Sequence, residues 1–287
     1  MYCDFFRLTE KPFTITPNPH FIFLSSNHKE AFAHLVYGIE SHAGFISLTG
    51  EVGTGKTTLL RTLLSSLDKE QHRSALIFNP CLTGAQLMAA ICQEFGLKTR
   101  KKDINSYYNL LNKFLIAQHQ EGRNVVLVID EAQNLPVEVL EQLRMISNLE
   151  TEQDKLIQIV LAGQPELDDI LGRHDLRQLS QRIMVRYCLK SMGQQDTVDY
   201  INHRLRVSGN RTPELFSSGA IKRIYLFSKG TPRLINVACE HALVMAWSQE
   251  SSTVTSAMAE KVIAAIQPGY INTGGFKRLF TRLFCRR

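Results

Sequence analysis

Between residues 44 and 187 the chain alternates two hydrophobic patterns. Short, largely apolar runs (Phe45 to Leu48, Ala75 to Phe78, Val125 to Ile129, Ile157 to Ala162 and Ile183 to Tyr187) are separated by stretches in which apolar residues recur every three or four positions. A run without strict alternation fits a strand buried on both faces, and strands interleaved with helices build a parallel sheet. The pattern therefore predicts an α/β fold, a five-stranded parallel sheet with helices on both faces. After Leu189 only the helical pattern continues, over Val198 to Val207, Glu214 to Phe227, Arg233 to Trp247 and Ala257 to Ile266. Pro213 and Pro232 suit helix starts, where a missing N–H costs nothing. These residues predict a small all-helical domain. The expected division is an N-terminal arm and helix over 1–43, an α/β domain over 44–190, a helical domain over 191–268, and a linker and tail over 269–287. Gln267, Pro268 and Gly269 close the helical part, and Asn272 to Gly275 reads as the linker.

With 287 residues and 44% apolar content, the chain is long enough to bury a sizeable core. Its six cysteines, Cys3, Cys81, Cys92, Cys188, Cys239 and Cys285, show no CxxC or Cys/His spacing. Neither a zinc site nor a disulfide framework is expected, and most of the thiols should be buried as small hydrophobes. The opening MYCDFFRLTEKPF lacks the form of a secretory signal, and no apolar run approaches the roughly 18 residues of a spanning helix. The expected location is cytoplasmic and reducing.

The net charge is +6, but Lys277, Arg278, Arg282, Arg286 and Arg287 lie among the last eleven residues, where no acid occurs. Taking those five from +6 leaves +1 for the rest of the chain. Basic character thus belongs to the tail. There Phe276, Leu279, Phe280, Leu283 and Phe284 follow one helical face, the form of a helix that lies in an anionic membrane surface or docks on the protein's own body. Lys98, Arg100, Lys101 and Lys102 are the other basic cluster.

Residues Gly50, Glu51, Val52, Gly53, Thr54, Gly55, Lys56 and Thr57, followed by Thr58, match GxxxxGK[ST] between a predicted strand and a predicted helix. In such a loop glycines let backbone N–H groups turn onto phosphates, Lys56 reaches the β and γ phosphates, and Thr57 offers a hydroxyl to Mg²⁺. A second strand, VVLVIDE, ends in two acids. Asp130 is the candidate metal-side acid and Glu131 the candidate base for a water attacking the γ phosphate. A third, IQIVLAGQ, ends in Gln164, whose amide suits contact with that phosphate or water, or else simply closes the turn before Pro165. GTPR places Arg233 at the start of a helix in the second domain.

These four elements, in this order, resemble the AAA+ ATPases. The resemblance makes ATP and Mg²⁺ the expected cofactors, Gln164 the sensor 1 residue and Arg233 the sensor 2 residue on a helical lid. It also places an arginine finger within LRQLSQRIMV, with Arg182 preferred over Arg177, acting in trans on a neighbour's nucleotide and so implying a ring, expected as a hexamer. A closer resemblance covers nearly the whole chain. The opening MYxxFFxLxxKPFxxTPNPxFxFLSxxHxEAxAHLxYGIE, with GFISLTGEVGTGKTT, VLVIDEAQNL, LAGQPEL, LRQLSQRI and KGTPRLIN, is similar to the general secretion pathway ATPases of the ExeA/GspA type, which include the MSHA pilus biogenesis ATPase MshM. That family implies an arm packed beside the nucleotide, with Phe13 to Leu24 as adenine-pocket candidates; read from the residues alone, the arm packs against the sheet. It further implies secretion or pilus assembly proteins as partners, peptidoglycan reached through a partner, and a peripheral place at the inner membrane, with Phe276 to Arg287 touching anionic lipid. Many members continue through a membrane span, whereas this sequence stops at Arg287. An AAA+ ATPase acting on DNA, as in transposition or replication regulators, is the alternative. The nearly neutral body does not favour DNA as a partner.

Overall fold

The computed structural model describes residues 2–16, 18–78, 82–100, 102–150, 155–210 and 214–266. In chain order the helices and strands begin with α1 (Tyr2–Phe5), α2 (Ser26–Glu40), β1 (Phe45–Thr49), α3 (Lys56–Ser66), β2 (His72–Ile77), α4 (Gly84–Glu94) and α5 (Ile104–Gln120). They continue with β3 (Asn124–Ile129), α6 (Val137–Ile146), β4 (Gln158–Gly163), α7 (Glu166–Leu171), α8 (Arg177–Ser180) and β5 (Ile183–Cys188). The last four are α9 (Gln194–Val207), α10 (Ser218–Ser228), α11 (Pro232–Ser248) and α12 (Ser256–Ile266). No helix among the described residues is long and apolar enough to cross a membrane.

Two compact units result. One runs His28–Lys190, and the other draws on chain to either side of it. The segment expected as one arm over 1–43 divides at His28. Tyr2, Phe6, Leu8 and Phe13 are buried in the core of the helical unit, while Ala31, Leu35 and Ile39 of α2 are buried in the other.

The α/β unit holds a parallel five-stranded sheet in the order β2-β3-β4-β1-β5, as the apolar runs predicted. Strands β1 and β4 are buried at every position, and so is β3 beyond Asn124, because helices cover both faces. One face packs Phe45, Leu127, Ile129, Ile159 and Leu161 with Leu87 and Ile91 of α4, Leu111 and Leu115 of α5, and Leu140 and Leu143 of α6. On α2, the Ile39 carbonyl accepts a hydrogen bond from buried Gln158 Nε2 at 2.8 Å, and the His34 ring lies 5.0 Å from that of Tyr187 in β5. Each fully buried leucine or isoleucine contributes about 1.5–3 kcal/mol through the hydrophobic effect. Register pairs Thr49 with both Gly163 and Cys188, and Ile77 with Ile129. The C-terminal ends of all five strands therefore lie along one edge, where the chain turns into the predicted site residues.

Edge strand β2 begins at His72, three residues before the expected Ala75, since His72, Arg73 and Ser74 are half-buried or exposed and break the apolar run.

In the helical unit α11 starts with Pro232 at its first turn. The helix expected from Glu214 starts instead at Ser218. Ser217 caps it, its side chain accepting from the Ala220 N–H, while Glu214 is left-handed (φ 55°) and Phe216 bridges to Val254. A serine that satisfies a first-turn N–H marks a start more firmly than a nearby proline. Pro213 itself lies outside the described residues, as do Gln267 to Gly269, the linker and the tail. Ahead of His28 the arm packs within this unit. Arg204 is 6% exposed and donates to the carbonyls of Pro12 (2.5 Å) and Thr14 (3.5 Å) and to the Tyr200 hydroxyl (2.8 Å). Its guanidinium also lies over Phe21, 4.7 Å from the ring centre. Tyr2 donates to Glu240 at 2.7 Å, and burial, then that carboxylate, raises its pKa. Of the four cysteines described, Cys92 and Cys239 are buried, Cys3 is half-buried and Cys188 is exposed.

Candidate functional site

The loop from Gly50 to Gly55 joins β1 to α3. Gly55 precedes the helix in the left-handed region (φ 103°) that favours glycine, and Lys56 and Thr57 form the first helical residues. Lys56 is 6% exposed, and its ammonium donates to the Gly50 carbonyl at 2.5 Å and the Glu51 carbonyl at 3.1 Å. Burial holds its pKa below the ordinary lysine value, opposed by the nearby charges of Glu131, Asp130, Glu51 and Cys188. An ammonium held by two neutral carbonyls and kept partly desolvated is poised to exchange them for anionic oxygens.

Strand β3 delivers the two acids. Asp130 is buried at 2% exposure, and its Oδ2 accepts from Thr57 Oγ1 at 2.5 Å. Hydroxyl and carboxylate thus sit side by side, a hard-oxygen pair of the kind that holds Mg²⁺ together with water and phosphate oxygens. Glu131 is left-handed (φ 56°), which costs a non-glycine residue on the order of 1 kcal/mol. It is held there by its N–H donating to Asp130 Oδ1 at 2.9 Å and by its carbonyl accepting from the Asn134 N–H at 3.0 Å.

Gln164, at the end of β4, donates from Nε2 to Glu131 Oε2 at 3.3 Å. A second amide that sequence patterns gave no reason to single out does the same more closely. Gln133 donates to Glu131 Oε2 at 2.6 Å and accepts from the Gln164 N–H at 3.1 Å. Gly163 makes room for it: a Cβ there would meet Gln133 Oε1 at 2.6 Å, and moving that oxygen aside would break its bond to Gln164. The signal available in one dimension was only its place two residues beyond the acids.

The α/β unit therefore gathers Lys56, Thr57, Asp130, Glu131 and Gln164 at neighbouring strand ends. Arg182 is engaged elsewhere. It donates to Ser147 Oγ at 3.0 Å, to the Arg144 carbonyl at 3.4 Å and to Asn148 Oδ1, tying down the C-terminal end of α6. Arg177 is exposed, and its side chain has no hydrogen-bond or ion-pair partner among the described residues. Arg233 is exposed in the first turn of α11, in the helical unit. The aromatic residues expected beside adenine are committed within that unit. Phe13 is 1% exposed and edge-on to Phe216, Phe21 is covered by Arg204, and Phe23 packs on Tyr200 and His203.

An AAA domain matches residues 39–171. General secretion pathway protein A of Aeromonas hydrophila is 46% identical over 255 residues, covering 88% of this chain and 46% of the relative. The chain is thus similar to the AAA ATPases, and to general secretion pathway protein A among them. It spans about half the length of that curated relative. Solved structures share the AAA ATPase fold at low identity. The Aeropyrum pernix ORC2 protein superposes with a TM-score of 0.62 at 16% identity, over 87% of this chain and 72% of that one. Cdc6p of Pyrobaculum aerophilum gives 0.63 at 17%, over 88% and 68%. Drosophila ORC bound to DNA gives 0.68 at 16%, over 96% and 68%. The family match covers the loop, both acids and Gln164.

Proposed function

We propose that the protein is an AAA ATPase that binds Mg–ATP at the end of β1, hydrolyses it, and couples the turnover to self-association and to assembly of a secretion or pilus apparatus in the bacterial envelope. The observation that carries the reading is the meeting of Thr57 with Asp130 at 2.5 Å, beside a buried Lys56 and one residue before Glu131. In this reading the N–H groups from Gly50 to Thr58 bind phosphate oxygens, and Lys56 exchanges its two loop carbonyls for the β and γ phosphates. Thr57 and Asp130 hold Mg²⁺, which when bound neutralises charge on the phosphate oxygens. Glu131 takes the proton of the attacking water, Gln133 and Gln164 fix its carboxylate, and Gln164 orients water or γ phosphate. Arg233 contributes from the helical unit.

Arg182 supplies a trans arginine to a neighbour in a ring, a hexamer, once it leaves the end of α6. Arg177 is the second reading for this role, favoured by a side chain that has nothing to break. The relative named for the general secretion pathway, and an ORC2 structure described with ADPNP and ADP, support envelope assembly and adenine nucleotide binding respectively. The protein then works in the cytoplasm at the inner membrane, with Phe276 to Arg287 touching anionic lipid and peptidoglycan reached through a partner.

The test is steady-state ATP hydrolysis with and without Mg²⁺. It is titrated in parallel with peptidoglycan fragments, anionic vesicles and duplex DNA, and light scattering follows assembly. Stimulation and assembly by the envelope components alone is the expected result. A response confined to DNA would replace the reading with a DNA-acting one and direct mutation to the exposed Lys98, Arg100 and Lys102.

A further inference from the structure

His28 lies near the start of α2, 26 positions ahead of Thr54, and belongs to none of the phosphate-site motifs. Its side chain is buried at 4% exposure, and Nε2 stands 2.9 Å from the Thr54 carbonyl oxygen. A carbonyl only accepts, so Nε2 carries a proton and donates it. The imidazole also lies against Gly55, where an added Cβ would come within 2.9 Å of the same nitrogen.

The consequence follows from peptide geometry. A trans peptide is planar, and its C=O and N–H point in opposite directions. Drawing the Thr54 carbonyl onto His28 therefore aims the Gly55 N–H the other way. Neighbouring carbonyls are occupied too: Lys56 holds those of Gly50 and Glu51, and Thr54 Oγ1 donates to that of Glu51 at 2.8 Å. With the Thr54 carbonyl turned onto His28, this peptide offers an N–H on its opposite side, which is the polarity an anion requires.

We infer that His28 is a positioning residue of the phosphate loop: its Nε2–H fixes the Thr54–Gly55 peptide so that the Gly55 N–H donates to a phosphate oxygen of a nucleoside di- or triphosphate. This rests on the nucleotide reading of the same loop. It predicts an effect on phosphate affinity and not on the hydrolytic step, because His28 touches the loop and neither Glu131 nor Gln164. Glutamine can place an amide N–H where Nε2 stands, whereas asparagine is one methylene too short.

The experiment measures ADP, pyrophosphate and adenosine binding by titration calorimetry, and ATP turnover, for the full chain and for His28→Phe, His28→Asn and His28→Gln, with apo melting temperatures recorded alongside. Expected are a loss of about 10-fold in ADP and pyrophosphate affinity for His28→Phe and His28→Asn, recovery to within about 3-fold for His28→Gln, and a raised KM with kcat nearly unchanged. Adenosine binding should not respond. If His28→Phe does not fold, the Asn/Gln pair decides alone. Equal pyrophosphate affinity in all folded variants, or a loss that Gln fails to restore, overturns the inference. Absence of ADP and pyrophosphate binding by the parent chain would instead overturn the nucleotide reading, and the role of His28 with it.

Discussion

Among the described residues, each of the two units buries one lysine or arginine to the same extent, and the two are held for different ends. Lys56 in the α/β unit and Arg204 in the helical unit are both 6% exposed, and both donate to backbone carbonyls. Lys56 bonds only to carbonyls of its own loop, with the carboxylates of Asp130 and Glu131 close enough to oppose the effect of burial on its pKa. Arg204 reaches carbonyls far away in sequence, at Pro12 and Thr14, and its planar guanidinium lies over Phe21 and Tyr200. A compact ammonium on local, replaceable acceptors suits exchange with a ligand; a flat, multidentate guanidinium clasping distant chain suits permanent structure. Burial alone does not distinguish a functional cation from a structural one. Acceptors do.

The largest effect that would break this comparison comes from Lys56→Met. Nucleotide affinity should fall by about 100-fold or more, since charge-assisted bonds to phosphate are lost. The ligand-free protein should melt close to the parent, because relief from burying the ammonium offsets the donor lost to the Gly50 and Glu51 carbonyls. A large drop in melting temperature would make Lys56 structural. Next, Glu131→Gln should retain ATP, seen by equilibrium binding, while turnover falls by about 100-fold or more; unaltered turnover would reassign the base.

Arg204→Met should act in the opposite sense to Lys56→Met. It leaves the Pro12 and Thr14 carbonyls and the Tyr200 hydroxyl short of a donor, and chemical denaturation should show a loss of about 3 kcal/mol. Stability equal to the parent would remove the distinction between the two cations. The smallest effect belongs to Gln133→Leu, which keeps side-chain bulk and removes one of two amides from Glu131 Oε2: kcat should fall by about 10-fold with ADP affinity unchanged. A matching loss of ADP affinity would show that Gln133 shapes the loop, not the carboxylate.

The strands were legible because β1, β3 and β4 are buried on both faces, so their apolar runs survive in one dimension. Where a strand lies at the edge, as β2 does, polar His72 to Ser74 concealed its first half. The helix after Pro213 was misplaced because a proline is visible in any context, whereas the cap made by Ser217 shows only once its oxygen meets the Ala220 N–H. Lys56, Thr57, Asp130 and Glu131 were readable because their chemistry needs fixed residue types at fixed spacing beside a strand. Gln133 and His28 were not. Their contacts depend on which way a short turn and a helix face, and one amide or imidazole looks like another in sequence.

The amino-acid sequence by itself determined the order of strands and helices, the phosphate-type loop and the acids that follow β3, because short-range periodicity and local spacing specify these. Tertiary structure alone decided that Thr57 meets Asp130 across 73 positions, that Gln164 and Gln133 share one oxygen of Glu131, that Arg182 ties down α6, and that the arm is clasped by Arg204. Those facts rest on parallel strand register and on side chains converging from distant segments. Only the closed three-dimensional packing fixes such distances.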